Sequence, residues 1–201
     1  MRKLLSLIAL LICSSVSSGA FTPRVSYGLE WGYTSTFYKS SQYNFVCAEG
    51  YRIIENPGSW RYFSNGSLLA KLGMDMTPDL NASLCSGLIG VYSRRWAVPL
   101  EMRLSYCPSG LHRDGGIFQA GGAFLIPGQG MPSPGFRALL GGGYRLALFG
   151  NFSIDLLLSL NFTLDHDLLS DPDTGGVVPS ADITKNSSEY YALNLSLAVN
   201  F

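Results

Sequence analysis

From Tyr191 to Phe201 every second residue is large and apolar, and every residue between is small or polar. A strand sends alternate side chains to opposite faces. Tyr191, Leu193, Leu195, Leu197, Val199 and Phe201 therefore share one face, while Ala192, Asn194, Ser196, Ala198 and Asn200 share the other. A half-buried strand of a soluble domain alternates too. The remaining segments decide which kind of sheet this strand belongs to.

The same period of two recurs along the chain. Arg24 to Tyr38 sets Val25, Tyr27, Leu29, Trp31 and Tyr33 against Ser26, Gly28, Glu30, Gly32 and Thr34. Ser67 to Thr77 sets Leu68, Ala70, Leu72, Met74 and Met76 against Lys71, Gly73 and Asp75. Ala82 to Ser93 is less clean: Leu84, Leu88 and Tyr92 fall on one face, Ile89 and Val91 on the other. Trp96 to Cys107 opposes Trp96, Val98, Leu100, Met102, Leu104 and Tyr106 to Glu101, Arg103 and Ser105. Gly116 to Ile126 is rich in Gly and Ala. The segments from Phe136 to Leu148 and from Phe152 to Leu164 flank a three-residue turn, Phe149-Gly150-Asn151. Matching their apolar faces puts Leu148 against Phe152 and Leu146 against Ile154, which places Arg145 opposite Asp155. A register chosen from hydrophobicity thus brings opposite charges together.

The first residues carry an export pattern. Arg2 and Lys3 precede the apolar run Leu4 to Ile12, and Ser18-Gly19-Ala20 offers small residues for cleavage before Phe21. Residues 1-20 are read as a signal peptide and 21-201 as one domain. The chain has 14 basic and 14 acidic residues. This near-neutral balance argues against nucleic acid as a partner. It is 47% hydrophobic and 14% charged. No long apolar run follows the signal, so the hydrophobicity is spread over alternate positions, as a membrane-spanning barrel requires.

The opposite face favours that reading over a soluble barrel. It is dominated by Gly, Ser and Asn, with Glu30, Lys71, Asp75, Glu101, Arg103, Arg137, Arg145 and Asp155. Small residues beside a few paired charges suit a narrow lumen; a water-facing surface would carry more Lys and Glu. Trp31, Tyr33, Trp96, Tyr106, Phe124, Phe136, Tyr144, Phe152, Phe162 and Phe201 lie on the apolar face, many near strand ends, where aromatic girdles meet membrane interfaces. The expected fold is all-β: an antiparallel, up-and-down transmembrane β-barrel of eight strands, or ten if a further hairpin forms within Lys39 to Gly66. With both termini periplasmic, Lys39 to Gly66 and Asp165 to Glu189 become extracellular loops. Pro78-Asn81 and Phe149-Asn151 become periplasmic turns. The stretch after Cys107 is long for a periplasmic turn.

The chain resembles the small outer-membrane barrels of the OmpA-transmembrane-domain, OmpX and PorT-like types. The terminal face from Tyr191 to Phe201 resembles the strand by which the barrel-assembly machinery recognises such proteins. Pro99-Leu100-Glu101 resembles a strand of the PorT-like families. The resemblance implies a bacterial outer membrane, outer-membrane lipid around the barrel and insertion by that machinery. It implies no single activity.

Little in the chain points to catalysis. His112 sits beside Arg113 and Asp114 in an expected turn, and His166 lies between Asp165 and Asp167 in a loop read as acidic and solvated. Asp171-Pro172-Asp173-Thr174-Gly175-Gly176 echoes a calcium loop but lacks the closing Glu. No metal or other cofactor is expected. After export three cysteines remain, Cys47, Cys85 and Cys107. Cys85 and Cys107 face inward on adjacent strands; a turn centred near Trp96 would let them bridge, and otherwise they are two buried thiols. The leading functional expectation is a monomeric, non-enzymatic barrel with a plugged polar lumen and surface loops for structural or interaction roles, with no ligand selected by the sequence. A small-solute channel is the alternative, and a lipid-modifying enzyme the third.

Overall fold

A computed structural model describes residues 23-93, 95-150 and 152-201. The expected signal peptide, Arg94 and Asn151 lie outside the described residues. The described residues form nine strands: β1 (Val25–Val46), β2 (Arg52–Glu55), β3 (Gly58–Asp75), β4 (Leu80–Tyr92), β5 (Arg95–Tyr106), β6 (Gly115–Pro127), β7 (Gly135–Phe149), β8 (Phe152–Asp165) and β9 (Ile183–Asn200). All pairings are antiparallel. β1 and β3 to β9 pair in sequence, and β9 returns to β1, closing a ring of eight. Closure leaves no edge along the ring, so its backbone groups bond within the sheet.

β2 is the upper part of the same wall as β3. β1 pairs with β2 from Tyr43 to Val46 and with β3 up to Ser40. Asn56 and Pro57 interrupt the run, and the proline ring offers no N–H to the ladder. The extra hairpin considered for Lys39 to Gly66 is therefore not a separate pair of barrel strands. It is a tall extension of β1, β2 and β3, so this segment is largely sheet rather than loop.

Alternation became inside and outside as the pattern required. On β5, Met102 is 74% exposed on the outer wall, whereas Glu101 is fully buried. Tyr191, Leu193, Leu195, Leu197 and Phe201 all face outward, with Val199 half-buried in the same phase. One residue departs from the expected face. Tyr92 turns inward with Val91, because a bulge between Gly90 and Tyr92 shifts the phase at the end of β4. It packs on Phe63 and Tyr190, with ring centroids 4.4 and 5.0 Å away.

The β7–β8 register places Arg145 opposite Asp155 and Leu146 opposite Ile154, but a shift after Ala147 pairs Phe152 with Phe149 instead of Leu148. The possible Cys85–Cys107 bridge is corrected: both thiols are free and buried. The β4–β5 turn lies at Ser93, not near Trp96. Cys85 therefore faces Glu101, and Cys107 falls beyond the Leu80–Tyr106 pair.

Two aromatic ribbons cross part of the outer wall, over β1 and its neighbours. In one, Tyr27, Phe201, Phe152 and Phe149 follow one another at 5.2 to 5.5 Å between centroids. In the other, Phe162, Tyr191, Tyr38 and Trp60 are linked at 5.1 to 5.8 Å. Trp96 and Tyr106 on β5, Phe152 and Phe162 on β8, and Tyr191 on β9 with Phe201 just beyond its end are each ten positions apart.

Candidate functional site

The lumen is where the unusual chemistry collects. All eight sequence-selected charges point into it and are buried: Glu30, Lys71, Asp75, Glu101, Arg103, Arg137, Arg145 and Asp155. Four acids and four bases balance. Arg103 binds both Glu30 and Glu101, donating from Nη1 to Glu30 at 2.5 Å and from Nε and Nη2 to Glu101 at 2.8 and 2.5 Å. Its Nη1 also reaches Gln119 at 3.3 Å. Arg145 forks onto Asp155 with two bonds of 2.7 Å. Asn200 donates to Asp155 at 2.9 Å and accepts from Lys71 at 3.3 Å. Asp75 accepts from Asn81 at 2.8 Å and lies 3.3 Å from His112 Nε2. His112 is thus a contact of the lumen mouth as well as a turn residue.

Two apolar clusters fill parts of the lumen beside these charges. At the end bearing the short turns, residues 107-114 fold inward. Cys107 and Leu111 donate backbone hydrogen bonds to Asp79 and Pro78, each at 2.8 Å. Leu111 packs with Cys107, Ile117, Leu157 and Ala198, and its carbonyl accepts from Arg145 at 2.9 Å. That explains the length of this turn: it is a plug. Toward the other end, Leu69, Ile89, Val91, Tyr92, Ala97, Ala123, Leu125, Met131 and Tyr190 form a second plug, with Phe63 against it.

Above the second plug sits a polar hub that sequence reasoning missed. Asp167 was expected in a solvated acidic loop; it is 6% exposed, and Asp165 and Asp171 are buried too. Its carboxylate accepts from Lys39 and Arg95 at 2.5 Å each, from Ser188 at 2.8 Å, from Tyr190 at 2.9 Å and from Tyr43. Burial alone would raise this carboxyl, but the bonds from Lys39, Tyr43 and Ser188 outweigh it and hold it below the usual carboxylate range. The loop continues over the mouth, where Leu169 and Val178 pack on Phe45 and Cys47.

The calcium-like segment serves this loop. The Asp171 carboxylate accepts backbone N–H groups of Ala48, Asp173 and Thr174 at 2.7, 2.8 and 3.3 Å. Cys47, Asp171 and Asp173 bring ligand atoms within 4.8 Å of one another. With Asp171 already committed to the turn, the trio is a poor metal site. His166 is exposed, and its N–H donates to Asp165.

One prediction arises directly from the Arg145–Asp155 fork. Arg145→Leu should cost about 3–5 kcal/mol, because it strands a buried carboxylate, and the Arg145→Leu/Asp155→Leu pair should cost less. A double-mutant cycle on refolded protein measures this; zero coupling would show that the fork contributes nothing.

No protein-family model matches the chain, and no curated protein sequence does. Among solved structures it is similar to the outer membrane protein AlkL in lipid bilayers, at 10% identity over 92% of this chain and 94% of that one, with a TM-score of 0.44. It is also similar to the outer membrane protein OprG from Pseudomonas aeruginosa, at 10% identity over 88% and 95% of the two chains, with a TM-score of 0.45. Likeness at that level carries no statement about activity.

Proposed function

We propose that this chain is a bacterial outer-membrane β-barrel whose lumen is sealed, and that it works as an anchor and a surface platform. One observation carries the reading: two apolar clusters and paired charges together fill the lumen, a filling that leaves little room for a wet path along the axis. The spacing of the aromatic ribbons supports the membrane placement. Ten residues of tilted strand match the nine to eleven that cross a bilayer. The outward face between them is mostly large apolar residues, interrupted by Ser35 on β1, Ser86 on β4 and a few glycines. Exposing it to water would forgo roughly 1.5–3 kcal/mol for each large side chain, and lipid removes that cost.

In this reading the short-turn end faces the periplasm, and the β1–β2–β3 extension with the 166-182 loop stands outside the cell. Outer-membrane lipid surrounds the barrel, and the barrel-assembly machinery inserts it through the face from Tyr191 to Phe201. The protein is a monomer, acts without a cofactor and catalyses no reaction. Planar-bilayer recording on refolded protein tests the sealed lumen. The expected trace stays at baseline; steady unitary conductance would instead favour the small-solute channel.

A further inference from the structure

At the level where the central charges meet the second plug, several buried polar atoms lack a protein partner. Arg137 is 5% exposed, and its Nε has no hydrogen-bond acceptor in the protein. Asn161 is 4% exposed, and neither its Nδ2 nor its Oδ1 is paired. Glu101 is fully buried and meets Arg103 through Oε1 alone, leaving Oε2 unpaired.

The strand register makes these three residues neighbours. Glu101 pairs with Ala123 on β6, and Ala123 pairs with Arg137 on β7. Two strand spacings separate Glu101 from Arg137, about 10 Å between backbones. Only the methyl group of Ala123 stands in the row between them. Arg137 pairs with Thr163 on β8 and Leu139 with Asn161, so Asn161 is one diagonal step from Arg137 on the same inward face. A guanidinium buried dry and unpartnered is among the most costly things a fold can contain.

The unmatched atoms define which partner could satisfy them. Arg137 Nε and Asn161 Nδ2 donate, whereas Asn161 Oδ1 and Glu101 Oε2 accept. An anion would satisfy only the donors and would meet the free carboxylate oxygen of Glu101. Water both donates and accepts, and buried waters typically make about three such bonds. We propose that Arg137, Asn161 and Glu101 bind a small cluster of trapped water over Ala123. Arg137 and Glu101 then form a water-bridged ion pair, and the plugs keep that water from exchanging freely. The trapping rests on the sealed lumen proposed above, which bilayer recording tests separately, whereas the water bridge between Arg137 and Glu101 does not.

Oxygen-17 relaxation dispersion on the refolded barrel counts long-lived internal water. The full chain should show such water, and Ala123→Leu, whose side chain extends into the gap, should lose at least one molecule. An unchanged count in a folded Ala123→Leu barrel would overturn the proposal. If that variant does not fold, a crystal structure of the unaltered protein grown in bromide decides. Water within hydrogen-bond distance of Arg137 Nε and Asn161 supports the proposal. A bromide peak at that position, or a direct Arg137–Glu101 contact with no solvent between, overturns it.

Discussion

Barrels carrying valine at position 143 are expected not to close. A Cβ built on Gly143 would lie 1.9 Å from the carbonyl oxygen of Leu156 and 2.9 Å from the Cα of Leu157. Both are backbone atoms of the adjoining strand, and Gly143 pairs with Leu157 in the β7–β8 ladder. No rotamer relieves such an overlap; the strands must part, breaking the hydrogen bonds that a barrel needs within lipid. Gly143→Ala should show the same defect in milder form. Heat-modifiable mobility on a semi-native gel reports closure, and a normal folded band for the valine variant would disprove the expectation.

The second large effect is expected at Asp167. Asp167→Ala leaves Lys39 and Arg95 without the carboxylate that joins them, and it unties the 166-182 loop from β1, β5 and β9. Loss of one partner from a buried charge cluster costs about 3–5 kcal/mol, and the partial exposure of Lys39 and Arg95 places this case toward the lower end. Denaturant unfolding should register the loss, and limited proteolysis should find new cuts within residues 166-182. An unchanged digestion pattern would show that the hub does not hold the loop.

Acid should act on the same hub. The folded Asp167 carboxyl titrates below its unfolded value of about 3.9. Its contribution is therefore fully present above that value and is lost as pH falls through the folded one. Loop protection should stay level from pH 7 down to about 5 and weaken below about pH 4.

The strands were legible because the outer wall and the lumen carry different residues at alternate positions. From Trp96 to Tyr106 the pattern has no interruption, and β5 follows it. Above the apolar band, that contrast fades. Ser40, Gln42 and Asn44 replace apolar outward residues on the upper part of β1, so sheet there resembled loop. Tyr92 was misplaced because a bulge changes phase without altering residue type. Arg145–Asp155 could be read from one hairpin. Arg103–Glu30 joins strands 73 positions apart, and nothing local encodes it.

The Asp167 hub had a signal that was available. Ser153, Asp155, Leu157, Ser159, Asn161, Thr163 and Asp165 are the buried positions of β8, and Asp167 continues their odd numbering. Reading it as loop acid ignored that the inward phase carried on past the strand.

The ring is joined by the ladder between β1 and β9, which runs from Gly28–Asn200 to Phe45–Ile183 and is longer than any other in the barrel. Its partners are among the most distant in the chain, so nearly the whole polypeptide must be in place before the joint gains its hydrogen bonds. Contacts of such high order slow folding and concentrate the barrier into a late step. A chain stalled before that step would hold two long unbonded strands, whereas one that passes it has no weak seam from which to unravel.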